Sequence, residues 1–491
     1  MLLLDVLSTI PFYQTNQTIS KHTEINDIHM DHRRIQEGDL FIAIRGYTVD
    51  GHTFISGAIA NGATVIVAEE VMPVPEDVYL ITVADTTRAL ASVSAAFYQF
   101  PTTYFSLIGV TGTNGKTTTT YILESIFQEH QEKTGLIGTM QAKIGQDILP
   151  VQNTTPDALE LQRTFNQMRE KEVETAVMEV SSHGLDIGRV NGCDFDIAIF
   201  TNLSQDHLDY HKDMDDYLRA KTLLFTGLGT AYHEKPKYAV LNADDQHSKT
   251  IAKSTAQPIV TYGIYEKADI YAERIHQGIK GITFDLVTPF DRVTLETSFM
   301  GQFNIYNILA AASTALLREV PLGTIKWAIE GIQGVAGRFE QVEAGQNYAV
   351  IVDYAHTPDS LQNVLETVKE FAERKIYVVV GTGGDRDKTK RPQMAAVATE
   401  FADCAIFTSD NPRTEQPMAI LNDMTDGLPA ENYEVIENRK KAIETAISYA
   451  TTGDVILIAG KGHEAYQEIH GVKHDFDDRL IAKETMLQKG K

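Results

Sequence analysis

The sequence predicts an α/β protein with parallel sheets, built as three domains. Two observations carry this. Short β-rich runs alternate with longer segments of helical pattern, which is the mark of βαβ units. The chain also has 491 residues, and at about 100–200 residues per domain that allows two to four domains. A hydrophobic fraction of 43% with 22% charged residues suits a chain that buries real cores.

The clearest strands are Ser106 to Val110, Ala176 to Val180, Ile197 to Asn202, Ile376 to Gly381 and Val455 to Gly460. Several run directly into glycine, polar or charged residues. Open α/β sheets bind ligands beyond the carboxyl ends of their strands, so these junctions are where chemistry is expected. Ile282 to Phe299 differs: alternation on both sides of Thr288-Pro289-Phe290-Asp291 predicts an antiparallel hairpin. One boundary falls near Gln99-Phe100-Pro101 and another near Gly334 to Gly337, giving domains at 1–100, 101–335 and 336–491. There is no fixed-period repeat, heptad seam or low-complexity tract.

With 43 Lys and Arg against 67 Asp and Glu, the formal charge is −24. General nucleic-acid or anionic-membrane binding needs a basic footprint, which this chain lacks. Cys193 and Cys404 are too few and too scattered for a disulfide scaffold or zinc cluster. No apolar run reaches the roughly 20 residues that span a bilayer. The start, Met1-Leu-Leu-Leu-Asp5, has no basic n-region. A cytoplasmic protein is expected.

The strongest local signal is Gly109-Val-Thr-Gly112-Thr113-Asn114-Gly115-Lys116-Thr117-Thr118, after a strand and before the helical pattern Thr119 to Gln128. This is the context of a phosphate-binding loop, in which glycines let backbone N–H groups approach phosphate oxygens and the helix N-terminus adds its dipole. Lys116 is placed for the outer phosphates and the Thr117 hydroxyl for Mg²⁺. Val110 stands where the general pattern has its first glycine. Nucleotide binding follows.

The variant Thr-Gly112-Thr-Asn-Gly-Lys-Thr-Thr118 resembles the Mur ligase family, ATP-dependent enzymes that join amino acids to peptidoglycan precursors. Further segments agree in family order: Glu179-Val-Ser-Ser-His-Gly184, Asn202-Leu-Ser-Gln-Asp-His207-Leu-Asp209, Asn242-Ala-Asp-Asp245, Gly301-Gln-Phe-Asn304-Ile-Tyr-Asn307, Gly337-Arg338-Phe339-Glu340 and Asp353-Tyr-Ala-His356-Thr-Pro-Asp359. The resemblance implies an N-terminal UDP-binding domain, a central P-loop ATPase domain and a C-terminal Rossmann-like domain. It also implies a monomer whose substrates are small molecules. Gly383-Gly-Asp-Arg386-Asp-Lys388, Asp410-Asn411-Pro412-Arg413 and Gly460-Lys-Gly-His-Glu464 are similar to the branch that adds the third residue of the stem peptide. Members of that branch attach meso-diaminopimelate or L-lysine to UDP-N-acetylmuramoyl-L-alanyl-D-glutamate.

The resemblance also implies roles for individual residues. Glu179 and His207 are Mg²⁺ ligands. Taken alone, a buried structural glutamate or a core-facing histidine is the plain reading of each. Lys221, in Tyr217-Leu-Arg-Ala-Lys221, reads by itself as a solvated helical lysine; the family carries a carbamoylated lysine there. Carbon dioxide adds only to a neutral amine, so burial that lowers the ordinary value of about 10.4 favours the modification. Arg338 and His356 contact the ATP phosphates, Asp353 sits near the nucleotide and Asn304 meets the adenine. Asn153, Thr154, Thr155, Ser181 and Arg189 contact the muramoyl-dipeptide, although a Thr-Thr-Pro run alone is an ordinary turn. Where many relatives read Asp-Ser-Arg, this chain has Asp31-His32-Arg33, with His32 facing the UDP end and Gly46-Tyr47-Thr-Val-Asp50-Gly51-His52 on the uridine side.

Arg413 is expected to decide the amino acid. Diaminopimelate has a second carboxylate that a guanidinium can pair with in bidentate fashion, and lysine has none. With lysine bound, Arg413 is expected to be left unpaired. Arg386, Asp410, Asn411, Pro412, Gly460 and Glu464 complete the pocket, with Glu464 available to the ammonium end. The rival readings are the lysine-adding enzyme, a folylpolyglutamate synthase, and a nucleotide-dependent switch without ligase activity.

Overall fold

The computed structural model describes residues 1–46, 49–151, 153–208, 210–230, 236–278, 281–429 and 431–489. Tyr47 and Asp209, which belong to two of the motifs above, lie outside the described residues. The chain forms two compact units, 1–262 with 313–318 and 263–312 with 319–491. The three-domain α/β plan of the sequence is written in three large sheets, each with its own apolar core, beside one small two-stranded sheet.

In the first unit, residues up to about 100 form a sheet of order Gln14–Thr15, Tyr79–Thr82, Val65–Ala68, Leu40–Ile42, Ile28–His29. The next sheet is centred on β1 (Ser106–Thr111), every residue of which is buried. β1 leads into α1 (Lys116–Glu129). On one side β1 pairs in parallel with β2 (Thr175–Glu179), and on the other with β3 (Ile197–Phe200). Strands Tyr238–Asn242 and Ile259–Gly263 continue beyond β3, and Thr134–Ile137 beyond β2, all in parallel. α2 (Met214–Thr226) starts from Asp213, whose side chain accepts from Asp216 N–H as its cap. The register sets Glu179 beside Val110, so the last residue of β2 reaches the carboxyl end of the sheet next to the glycine loop.

The second unit contains the expected hairpin: Gly281–Val287 pairs with Arg292–Thr297 in antiparallel register, closed by Thr288 N donating to the Asp291 carbonyl at 2.9 Å. Its larger sheet holds β4 (Ala349–Asp353), β5 (Ile376–Val380) and β6 (Val455–Ala459), with β6 lying in parallel between β4 and β5. Alternate residues go to opposite faces: Ala349 and Ile351 join one core, Val350 and Val352 the other. Both faces are covered, which is why these strands read as continuous apolar runs. Past β6, strand β7 (Tyr466–Ile469) pairs back on Val472–Asp475. Among the described residues no helix is long and apolar enough to cross a membrane.

Candidate active site

The glycine loop is held open by its neighbours in the first unit. Gly112 has φ +150°, and a Cβ there would sit 1.9 Å from Thr201 Oγ1. Gly115 caps α1 with φ +86°. The loop is pinned to the segment after β3: Thr113 N donates to Asn202 O at 2.8 Å, Asn114 N to Asn202 Oδ1 at 2.9 Å, and Ser204 N to Thr113 Oγ1 at 3.0 Å. Thr117 and Thr118 are buried at the start of α1, under the loop. Gly109 does not belong to this loop. It lies inside β1, where a Cβ would meet the Phe195 ring at 2.8 Å, so its glycine answers a packing need and not a phosphate.

Lys116 curls back on the loop, its Nζ donating to the carbonyls of Gly112 and Thr113 at 2.9 and 2.8 Å. Lys221, projecting from α2, is not the solvated helical lysine that its local sequence suggests. It is 1% exposed, donates to the same Gly112 carbonyl at 2.8 Å, and lies 4.2 Å above the Tyr217 ring. Burial, with the nearby Lys116 charge, holds its amine well below the ordinary lysine value, and Asp206 opposes this weakly. His207 stands at φ +54°, exposed, with its ring 6.0 Å from Tyr217 and 5.1 Å from His183.

A second cluster grows from the end of β2. Glu179 is 1% exposed; Oε1 accepts from Thr139 N at 2.9 Å and Oε2 from Thr139 Oγ1 at 3.0 Å. Among the described residues it has no cationic partner within ion-pair distance. An uncompensated buried carboxylate is costly, so this oxygen pair suits a hard divalent cation. Among the described residues, here included, no three His, Cys, Asp or Glu side chains gather closely enough to form a ready metal cluster.

Thr154 Oγ1 lies 3.1 Å from Thr139 Oγ1, and Arg189 Nη1 donates to Thr155 O at 2.8 Å. Thr155 is fully buried. Its hydroxyl donates to Glu179 O and accepts from Ser181 N, so it braces its neighbours and presents nothing outward. Ser181 Oγ caps the short helix after it by accepting from Gly184 N. Asn153 is exposed beside them. In the N-terminal sheet domain, His32 stacks on Phe54 with ring centroids 4.7 Å apart, and Arg33 holds the Asp31 carboxyl down at about 2.

The second unit carries the remaining candidates. Asp353, at the end of β4, accepts from Phe339 N and Ala355 N at 2.7 and 2.8 Å, and burial raises its carboxyl. It therefore fixes the turns that bear Arg338 and His356. Arg338 stacks on Tyr354 at 5.4 Å. His356 is exposed, with Nδ1 2.8 Å from Tyr354 O. Asn304, in the first turn of the helix Gln302–Leu317, is 1% exposed: Nδ2 donates to Met300 O at 2.8 Å and Oδ1 accepts from Asn307 Nδ2 at 3.0 Å.

At the carboxyl ends of β5 and β6, Gly383 to Arg386, Asp410 to Arg413 and Gly460 to Glu464 come together. A Cβ on Gly460 would stand 2.7 Å from Asp410 Oδ2. Two of the candidate side chains here already have partners within the chain. Glu464 Oε2 accepts from Asn411 Nδ2 at 2.8 Å and from Lys461 Nζ at 3.1 Å. Arg413 is also occupied: Nη1 donates to Gly384 O at 2.7 Å and Nε lies 3.4 Å from Glu468 Oε2. Arg386 is exposed at the rim.

Several partners were not singled out by the sequence. Thr139 follows the strand Thr134–Ile137, which was not among the strands read from the sequence, so the strand-end rule was not applied to it. Lys461, fully buried, lies inside a quoted motif, but nothing local marks it as the partner of Glu464. His211 is buried with Nε2 2.9 Å from Ser182 Oγ and Nδ1 3.5 Å from Asp216 Oδ2, joining the segment after β2 to α2. That contact spans chain positions no spacing rule connects.

A parallel sheet with a glycine loop between its central strand and α1, a buried lysine over that loop and an acidic strand end beside it defines a P-loop protein of the α/β class. Three family models match the chain: Mur ligase family, catalytic domain over residues 24–98; Mur ligase middle domain over 110–315; and Mur ligase, glutamate ligase domain over 337–462. The sequence is 54% identical over 493 residues to the UDP-N-acetylmuramoyl-L-alanyl-D-glutamate--2,6-diaminopimelate ligase of Oceanobacillus iheyensis, covering 100% of both chains. Its fold matches a solved structure of a ligase of that same name, with TM-score 0.74 and 33% identity over 100% of each chain. A likeness of fold alone extends to the MurF ligase from Thermotoga maritima in complex with ADP, with TM-score 0.64 and 18% identity over 96% of this chain and 99% of that one. The chain belongs to the Mur ligase family.

Proposed function

We propose that this chain is an ATP-dependent acid–amino-acid ligase. It adds meso-2,6-diaminopimelate to UDP-N-acetylmuramoyl-L-alanyl-D-glutamate, in cytoplasmic synthesis of peptidoglycan precursors. The end-to-end 54% identity to a relative named for that reaction carries the reading. Arg413 supplies its chemistry. The match over residues 24–98 favours the muramoyl substrate over a folylpolyglutamate.

An amine does not displace oxide from a carboxylate, so the acid must be activated. In the proposed reaction the terminal glutamyl carboxylate attacks the γ-phosphorus of ATP, the bond to ADP breaks, and an acyl phosphate forms. The neutral amine of diaminopimelate then attacks the acyl carbon. The C–O bond to phosphate breaks, releasing inorganic phosphate and the amine's proton.

The loop Gly112 to Thr118 is assigned to the ATP phosphates, with Lys116, Arg338 and His356 set against charge developing on the transferred group. Glu179, His207, the Thr117 hydroxyl and Lys221, once carbamoylated, are the residues assigned to Mg²⁺, which when bound offsets the negative charge of the phosphates. Ser181, Arg189, Asn153 and Thr154 are assigned to the muramoyl-dipeptide and His32 to its UDP end, with Thr155 and Asp353 as positioning residues. Arg386, Asp410, Asn411, Arg413, Gly460 and Glu464 are assigned to the amino acid. The chain is taken to act as a monomer.

The test is ADP release by the purified chain with UDP-N-acetylmuramoyl-dipeptide, ATP and magnesium, comparing diaminopimelate with lysine and omitting each substrate in turn. Release that needs both acceptors and prefers diaminopimelate is expected. ADP release indifferent to omission means a switch, and a lysine preference overturns the specificity.

A further inference from the structure

The Arg413 guanidinium already has a carboxylate beside it. Glu468 Oε2 lies 3.4 Å from Arg413 Nε, and the two side chains are 27% and 23% exposed. Backbone geometry puts Glu468 there. Arg413 N donates to Glu468 O at 3.0 Å, and His470 N donates to Arg413 O at 2.7 Å, so β7 runs in parallel along the loop. Glu468 N donates to Asn411 Oδ1 at 2.9 Å, and Gln467 Nε2 donates to Asp410 O at 2.6 Å. With β7 clamped to residues 410–413 in this register, its acidic residue falls next to the guanidinium. Nη1 is fixed separately by the Gly384 carbonyl, so Arg413 does not depend on Glu468 for its direction.

We propose that Glu468 is a specificity-determining residue. It is an internal carboxylate that pairs with Arg413 in the substrate-free chain and competes with the distal carboxylate of the incoming diamino diacid. The inference rests on the assignment of Arg413 to that carboxylate. Two effects follow, both reducing the margin by which the diacid is preferred. A diacid has to displace or crowd an existing like charge, which weakens its binding. An amino acid with no second carboxylate leaves Arg413 paired with Glu468, so the penalty of an unpaired guanidinium is largely removed.

The experiment compares Glu468→Gln and, as a second variant suited to a strand, Glu468→Thr with the unaltered chain and with Arg413→Gln, using the full chain and all substrates. For both Glu468 variants the KM for meso-diaminopimelate is expected to fall about two- to fivefold, the range for a half-exposed ion pair. kcat and the KM for ATP stay where they are. The ratio of kcat/KM for diaminopimelate over lysine is expected to widen by at least the same factor. A KM for diaminopimelate that stays level or rises, while Arg413→Gln still cripples its use, overturns the proposal; a rise would put Glu468 on the substrate's ammonium instead. If Arg413→Gln leaves diaminopimelate use and lysine rejection untouched, it is the assignment of Arg413 that fails.

Discussion

Lys116 and Lys221 donate to one acceptor, the carbonyl of Gly112, at 2.9 and 2.8 Å. They arrive from opposite directions, one from the first turn of α1 and the other from the middle of α2. Two ammonium groups on one carbonyl repel each other, and the buried one yields its proton more readily. A neutral Lys221 amine is the form that carbon dioxide can modify. Lys221→Ala is therefore expected to lower ADP release by roughly 10²-fold or more, the scale of losing a charge-stabilising group at such a site. Wild-type activity should fall in carbon-dioxide-free buffer and return with bicarbonate. An assay of the phosphate-forming reaction with and without bicarbonate checks both.

The same burial sets a stability dependence on pH. The folded Lys221 amine titrates below the ordinary 10.5. Between its lowered value and 10.5 the unfolded chain holds a proton that the folded chain lacks, so stability rises with pH through that window. Lys221→Met removes the titration and keeps the volume. In carbon-dioxide-free buffer the variant should be more stable than the parent by at least about 1 kcal/mol at the low end of the window. The gap should close as pH approaches 10.5. Urea unfolding at a series of pH values measures it, and a parent that matches or exceeds the variant at neutral pH contradicts the prediction.

Thr139 supplies both hydrogen bonds that aim Glu179. Thr139→Val keeps the shape and the backbone donor but removes the hydroxyl, leaving Oε2 unanchored. Outer partners of a metal-binding carboxylate are worth about 10–100-fold in metal affinity. The magnesium concentration for half-maximal ADP release should rise by that factor, with thermal stability changing little. A magnesium titration of the variant against the parent checks it.

How far the sequence led is clearest from three residues. The strand, loop and helix around Lys116 were legible because glycine, lysine and threonine at fixed spacing have one common structural use. Glu179 was legible as the end of an apolar strand, and the parallel register with β1 put it where a strand end should be. Lys221 was not legible from its own surroundings. Its neighbours on α2 are polar enough to suggest solvent, and only the tertiary packing of α2 over the loop buries it. The pairings at Arg413 and Glu464 were hidden for a related reason. The Asn411 bond to Glu464 and the approach of Glu468 to Arg413 both join segments more than fifty residues apart, which no local pattern encodes.

The loops that carry Arg386 and Arg413 are joined by a clasp centred on Arg391. Its guanidinium is fully buried and forks onto Glu415 at 2.8 and 3.0 Å, with Asp423 at 2.7 Å. Glu415 in turn accepts from Asp385 N at 2.7 Å, and Thr414 Oγ1 donates to Asp385 at 2.6 Å. Arg391→Met should loosen both loops. The KM for the amino acid is expected to rise about tenfold or more while the KM for ATP stays within about twofold, since a small misplacement of positioning groups is enough for such losses. Arg391→Lys, a point charge without the fork, should restore only part of it. The clasp also has an acid signature: Arg391 holds the Glu415 carboxyl at about 2 against an ordinary 4.5. Its contribution to stability is complete above pH 4.5 and lost as pH falls toward about 2. The stability difference between the parent and Glu415→Gln should thus be constant above pH 4.5 and shrink below it, and a difference that instead grows as acid is added would rule the clasp out.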